Sequence, residues 1–148
     1  MLDFLEIGID DIWEELKGSS LIKGVIYDGF NEDDVYDELA STNILAVHDG
    51  VHLLGFFSYE DLDCGEAECR TFVFPEFRKY SKRILEAFFE EMFNGYGFKR
   101  LITTVTSDYP NIVRFLSILK VLPCAVLKNF ITKNGKALDV HVLIKEVG

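Results

Sequence analysis

The run EAECRTFVFPEFRKYSKRILEAFFEEMF, residues 66–93, decides the fold. Its first part alternates, with Glu66, Glu68, Arg70, Phe72 and Phe74 on one side and Ala67, Cys69, Thr71 and Val73 on the other, which predicts a strand. Pro75 ends it, and Arg78-Lys79-Tyr80-Ser81-Lys82-Arg83 forms a basic loop. A helix follows, because Ile84, Leu85, Phe88, Phe89, Met92 and Phe93 recur at three-to-four-residue spacing while Glu86, Glu90 and Glu91 take the wet side. Ser81 is the expected N-cap and Asn94-Gly95 the stop. Lys82 and Arg83 then sit at the helix end whose dipole disfavours cations. Two readings account for them. Either a phosphate or similar anion lies on the free N–H groups with the basic side chains around it, or the cations lie against the chain's own acidic surface.

Working outward, Asp10–Leu16 and Asn31–Leu39 read as short helices, the second capped by Asn31 and burying Val35, Tyr36 and Leu39. Gly18–Phe30 between them has no clear period. Ile44–His48 and Val51–Tyr59 flank the turn pair Asp49-Gly50, a hairpin signal. The acidic connection Glu60–Gly65 leads to the deciding strand. After its helix come a β-rich run, Leu101–Thr106, and a helix opened by Ser107-Asp108-Tyr109-Pro110 that carries Ile112, Phe115, Leu116 and Leu119 on one face. Pro123 prevents that helix from continuing, and Ala125–Thr132 and Ala137–Ile144 flank Asn134-Gly135, the preferred pair for a type I′ hairpin. Strand-helix-strand in the middle implies a right-handed parallel crossover, and the hairpins make the flanks antiparallel. The expected fold is therefore α/β, a mixed and mostly antiparallel sheet with a central parallel β-α-β crossover and helices on both faces. Residues 1–148 form a single domain in this reading.

Composition narrows the function. The chain has 148 residues, 49% hydrophobic and 14% aromatic, enough for a sizeable core. It has no run of eighteen apolar residues, and Met1–Glu6 lacks a basic n-region, so the expectation is a soluble intracellular protein or one packaged in a particle. The formal net charge of −10 disfavours nucleic acid as a partner, since that binding relies on Lys and Arg. Residues 1–70 hold 18 Asp and Glu against 3 Lys and Arg, whereas residues 71–148 hold 7 against 12. Such polarity lets the halves pair or offers an acidic face to a basic partner. Cys64, Cys69 and Cys124 lack zinc spacing and are expected to be reduced and partly buried. In the expected register His48 pairs with Val51 and His52 with Val47, so the imidazoles face opposite ways and share no metal. His141, alone on an alternating strand, is structural, and neither a Gly-x-Ser-x-Gly elbow nor a P-loop is present.

From Ile44 to the C-terminus the chain resembles the GNAT N-acetyltransferases, and more closely the small acetyltransferase-like proteins encoded by tailed bacteriophages. The resemblance is carried by Phe72-Val73-Phe74-Pro75-Glu76-Phe77-Arg78, the helix behind it, Asp108-Tyr109-Pro110-Asn111, and the Lys133-Asn134-Gly135-Lys136 hairpin. It implies acetyl-CoA as the cofactor, its pyrophosphate laid on an Arg/Gln-x-x-Gly-x-Gly/Ala loop at a helix N-terminus. The implied contacts are Phe74, Arg78, Lys79, Tyr80, Ser81, Lys82, Arg83 and Asn111. Both glycines of that loop are replaced, by Ser81 and Arg83. Glu68, with Glu66 beside it, matches the position of the family's general base. The tyrosine that protonates the leaving thiolate falls at Ile118, next to Ser117, and neither is a phenol.

Two expectations follow from a scaffold kept while its chemistry-bearing positions change. The first is a phage structural or assembly component in a virion or the host cytoplasm, its partners other phage structural proteins, docked through the acidic half or the basic loop. The second is an acetyl-CoA-dependent N-acyltransferase whose acidic half attracts a basic amine or lysine acceptor. Neither nucleic acid nor a membrane is an expected partner, and Phe74, Phe77 and Tyr80 are candidate interface aromatics.

Overall fold

The computed structural model describes residues 1–148 and places seven strands in one sheet. In chain order the elements are β1 (Leu2–Ile7), α1 (Trp13–Lys17), α2 (Glu32–Ala40), β2 (Asn43–Asp49), β3 (His52–Asp61), β4 (Glu66–Val73), α3 (Ser81–Glu90), β5 (Arg100–Thr106), α4 (Pro110–Ile118), β6 (Leu122–Lys133) and β7 (Lys136–Glu146). Across the sheet they run β1-β2-β3-β4-β5-β7-β6. Every adjacent pair is antiparallel except β4–β5, which is parallel and joined by the α3 crossover. This is the mixed sheet the sequence predicts.

A hydrophobic layer lies on each face. On one, Ile84, Leu85, Phe88 and Met92 of α3 pack against Leu45, Val47 and Phe57, and Leu116 of α4 joins the same cluster. Phe57 and Phe88 are both fully buried and stack with ring centroids 3.9 Å apart. On the other face Ile12, Leu16, Val35 and Leu39 cover Ile44, Phe56 and Phe72, with Phe56 stacked on Phe72 at 4.5 Å. The Asn31 cap forms as read: its side chain accepts from the Asp34 N–H, and the Asp34 carboxylate accepts from the Asn31 N–H. Asn134 (φ 53) and Gly135 (φ 78) both adopt the left-handed backbone that a type I′ turn needs.

Several expectations are corrected. β1 is an additional strand; its loose alternation becomes a strand only through pairing with β2, Leu2 opposite Asp49 to Ile7 opposite Ile44. The first predicted helix divides into a 3₁₀ turn, Ile9–Asp11, and α1. Gly18–Phe30 contributes a 3₁₀ turn at Ser20–Gly24 and a Tyr27–Phe30 bridge. In the first hairpin the left-handed residue is Gly50 (φ 61), so the loop is Gly50-Val51. Asp49 then faces His52 and, across a bulge, His48 faces Leu53. The histidines still belong to neighbouring pairs on opposite faces. β6 starts at Leu122, so Pro123 lies within a strand, at the sheet edge where a missing N–H is tolerated. Ile112 is exposed rather than on the buried face of α4. All three cysteines are free, but Cys64 and Cys124 are exposed and only Cys69 is buried.

Candidate functional site

β4 and β5 pair only at Glu66–Arg100, Ala67–Leu101 and Glu68–Ile102. Beyond that they diverge, leaving Cys69–Val73 and Thr103–Thr106 with facing edges that no strand bridges. The narrow end is fastened by Arg100, whose guanidinium reaches Glu66 at 3.3 Å and Glu146 at 3.0 Å. The Gly65 carbonyl also accepts from the N–H groups of Lys99 and Arg100. Glu68 is thus the last paired residue of β4, at the vertex of the splay. Of its row, Arg70 pairs with Glu38 of α2 and Glu66 with Arg100, while Glu68 lies opposite Glu60 in the β3–β4 register.

Inside the splay, on the α3 side, Cys69, Thr71, Leu85, Phe89, Leu101 and Lys145 line a small, partly open cavity of about 30 Å³. That is room for roughly one water molecule. Lys145 spans it, donating to the Leu119 carbonyl at 2.8 Å and lying 5.0 Å over the Phe89 ring. Burial lowers the Lys145 ammonium below its ordinary pKa. Burial, with the Glu68 charge adding to it, pushes the Cys69 thiol up to about 12, so Cys69 is a protonated packing residue and not a nucleophile.

The basic segment differs most from expectation. Pro75–Tyr80 is a continuous 3₁₀ helix that runs directly into α3. Its N–H groups are spent on carbonyls three residues back, among them Phe77 to Phe74 (2.9 Å) and Ser81 to Arg78. The helical segment therefore begins at Pro75, which has no N–H, followed by Glu76 with its own carboxylate. Ser81 is the first residue of α3, and Tyr80 takes the N-cap position without a side-chain cap bond. Lys82 lies 3.9 Å from Glu86 and Arg83 lies 4.0 Å from Asp49, so these cations face the chain's own acids, as the second reading of the loop had it. Arg78, Lys79 and Tyr80 are exposed, with Lys79 5.2 Å over the Tyr80 ring. Phe74 is buried in the opposite core layer, Phe77 is half-buried, and Asn111 accepts from Arg114 on α4. The implied cofactor contacts are thus not brought onto one concave surface.

The entrance to α3 departs from the glycine-rich loop that the resemblance implies for acetyl-CoA. The N–H groups of Phe77 and Ser81 bond within the 3₁₀ turn, and a long side chain stands at Arg83 where close backbone approach needs glycine. The α4 positions where the resemblance implies a leaving-group acid carry no phenol. Ser117 donates to the Val113 carbonyl at 2.9 Å, and Ile118 is 70% exposed.

Past the end of β5 lies a cluster that sequence reasoning did not find. Lys133, in the β6–β7 hairpin, reaches Asp108 (3.2 Å), the Lys23 carbonyl (3.1 Å) and the Tyr109 hydroxyl (3.4 Å). Asp28 locks the same hairpin by accepting from the N–H groups of Asn134 (3.0 Å) and Gly135 (2.9 Å). Burial raises the pKa of Asp108, but the Thr106 hydroxyl and Lys133 outweigh it, and the carboxyl lies below its ordinary value. A depressed carboxyl contributes stability above its unfolded pKa of about 4 and loses it as pH falls through the folded value. Asp108→Asn is therefore expected to lower the melting temperature at pH 7 and to make stability less pH-dependent below about pH 4. Parallel acid titrations of wild type and variant check this; identical slopes would contradict it.

Comparison with known proteins agrees with the topology. The family model described as "Protein of unknown function (DUF2824)" matches residues 9–145. No curated protein matches the chain in sequence. Among solved structures, an N-acetyltransferase from Staphylococcus aureus Mu50 superposes with a TM-score of 0.71 at 17% identity, covering 99% of this chain and 97% of that one. A spermidine N-acetyltransferase chimera from Vibrio cholerae and hSSAT gives 0.78 at 13%, covering 98% and 94%. An IAA acetyltransferase from Bacillus cereus gives 0.73 at 14%, covering 99% and 100%. At these identities the likeness is one of fold. The architecture is that of the GNAT N-acetyltransferases.

Proposed function

We propose that this chain, which belongs to the family described as protein of unknown function (DUF2824), uses an N-acetyltransferase scaffold without acetyl transfer and works as a protein-binding structural or assembly component. The observation that carries the reading is the Pro75–Tyr80 3₁₀ helix, which turns N–H groups of the implied pyrophosphate loop, among them that of Ser81, onto its own carbonyls. The absence of a phenol at Ile118 points the same way. Placement in a tailed-phage particle, in the virion or the host cytoplasm and among other phage structural proteins, rests on the sequence resemblance alone. Fold by itself does not establish chemistry, so the site decides.

A second reading, an acetyl-CoA-dependent N-acyltransferase for a basic amine or lysine, is favoured by the unbridged edges of β4 and β5. Backbone groups left open along two strands invite an extended, amide-bearing ligand. The readings separate in a melting assay, because a ligand that binds only the folded state raises its stability by mass action. The expected result is no change in melting temperature at saturating acetyl-CoA, in wild type and in Arg78→Ala alike. A rise of several degrees in wild type that Arg78→Ala abolishes would favour the enzyme. Co-sedimentation of the chain with capsid or tail tests the phage placement.

A further inference from the structure

One side of β5, β7 and β6 has no helix over it. Residues that pair across neighbouring strands share a face of the sheet, and each strand returns to that face every second residue. Phe72 lies in the core layer built by α1 and α2, so Glu68, two periods earlier on β4, is on the same side. From Glu68 the register runs to Ile102, Ile144 and Leu122. Thr104, Val142 and Ala125 form the next row. Leu101, Val105 and Leu143 point the other way, into the layer beneath α3 and α4. The α1–α2 layer draws on β2, β3 and β4 and includes no residue of β5, β6 or β7. On this uncovered side Leu122 is 53% exposed, Leu127 is 38% exposed, and Ile102, Val142 and Ile144 are half-buried.

We infer that this side of β5, β7 and β6 receives one amphipathic helix of a protein partner, with a Lys or Arg of that helix set toward Glu68 and Glu60. The reading rests on the protein-binding role proposed above and gives it a surface. Three strands span two spacings of about 4.8 Å, which matches the ~10 Å breadth of a helix, and an apolar sheet face is buried by such a layer. The edge of β6 is guarded against an added strand, because Pro123 has no N–H and bulges interrupt the strand at Pro123/Ala125 and Leu127/Ile131. The face is therefore what a partner can use. Charge gives the occupant its sign. Glu68 lies directly opposite Glu60 of β3, an arrangement in which like charges repel, and neither belongs to an ion pair. The arginines of the same rows are committed, Arg70 to Glu38 and Arg100 to Glu66 and Glu146. A cation on the docked helix relieves the acidic pair. The stripes of α2, α3 and α4 are already buried in the chain's own core layers, so a second copy has no such helix to offer.

The test is amide NMR titration of the full chain with two stapled helices about four turns long, each with one Leu-Ala stripe, flanked by Lys in one and by Gln in the other. The Lys helix is expected to shift the amides of Ile102–Thr104, Cys124–Leu127 and Val142–Ile144. Leu122→Gln with Leu127→Gln is expected to weaken both helices by at least about tenfold. Leu5→Gln with Val51→Gln, exposed apolar residues of the β1 edge and the first hairpin turn, is expected to change them by less than about threefold. Wild type is expected to prefer the Lys helix about fivefold or more at low salt. Glu60→Gln with Glu68→Gln is expected to abolish that preference, and Glu32→Gln with Asp33→Asn on α2 to keep it. All the substituted side chains are exposed or half-buried, and a melting curve of each variant checks that it is folded. Shifts confined to other surfaces, equal losses in the two apolar double variants, or no preference for the Lys helix would overturn the inference. So would a dimer of the chain alone, seen by sedimentation and dissociated by Leu122→Gln with Leu127→Gln, because it would give the face to a second copy. Acetyl-CoA stabilisation is measured separately; its appearance would overturn the non-catalytic reading, while the helix titration decides the face.

Discussion

Gly55→Ala is expected to destabilise the chain by more than about 4 kcal/mol, the range reached when a substitution forces backbone apart. Gly55 lies in β3 opposite Val73 of β4 and Val47 of β2. A Cβ there would stand 2.1 Å from the Phe72 carbonyl oxygen and 2.9 Å from the Val73 Cα. These are main-chain atoms, so no rotamer change relieves the overlap, and β4 has to move. Phe72 and Phe74 belong to the core layer beneath α1 and α2, and the Phe74 N–H donates to the Leu54 carbonyl at 3.0 Å. Moving β4 therefore disturbs the sheet, that layer and the entry to the 3₁₀ helix together. Urea unfolding of the variant gives the answer. A loss below about 1 kcal/mol would show that β3 and β4 do not approach as closely as described.

Phe88→Ala is expected to cost about 3–5 kcal/mol, the usual range for truncating a fully buried phenylalanine. Phe88 has no exposed surface, stacks on Phe57 with ring centroids 3.9 Å apart, and has the Phe4 and Phe89 ring centroids 6.5 Å and 6.2 Å away. It is the residue through which α3 grips the sheet, from edge strand β1 to the lip of the cavity. The cost is a large share of the ~5–15 kcal/mol that holds a domain of this size together. Truncation also leaves a void next to the cavity inside the splay. Phe88→Leu, which refills part of the volume, is expected to recover about half of the loss. Equal stability of Phe88→Ala and wild type in denaturant would contradict the packing of α3.

Sequence reading succeeded where the signal is local. The apolar stripe of α3, the Asn31–Asp34 capping box and the Asn134-Gly135 turn each depend on residues a few positions apart, and each forms. β4 was legible for the same reason, by alternation. It failed where distant partners decide. β1 is a strand because β2 is available to pair with it. The 3₁₀ helix at Pro75–Tyr80 carries exposed cations and no apolar period, so it read as a loop. The Lys133 cluster joins α4, the hairpin and the turn before α2. At Lys82 and Arg83 the sequence framed the correct pair of alternatives. The pairs with Glu86 and Asp49 are visible only in the structure.

The most direct test of the central claim, that the helix entrance holds no acyl-CoA pyrophosphate, is a backbone-amide NMR titration with acetyl-CoA. The account predicts that the resonances of Glu76–Ile84 stay in place at millimolar cofactor. Saturable shifts centred on Ser81–Ile84, together with shifts along the open edges of Cys69–Val73 and Thr103–Thr106, would contradict it.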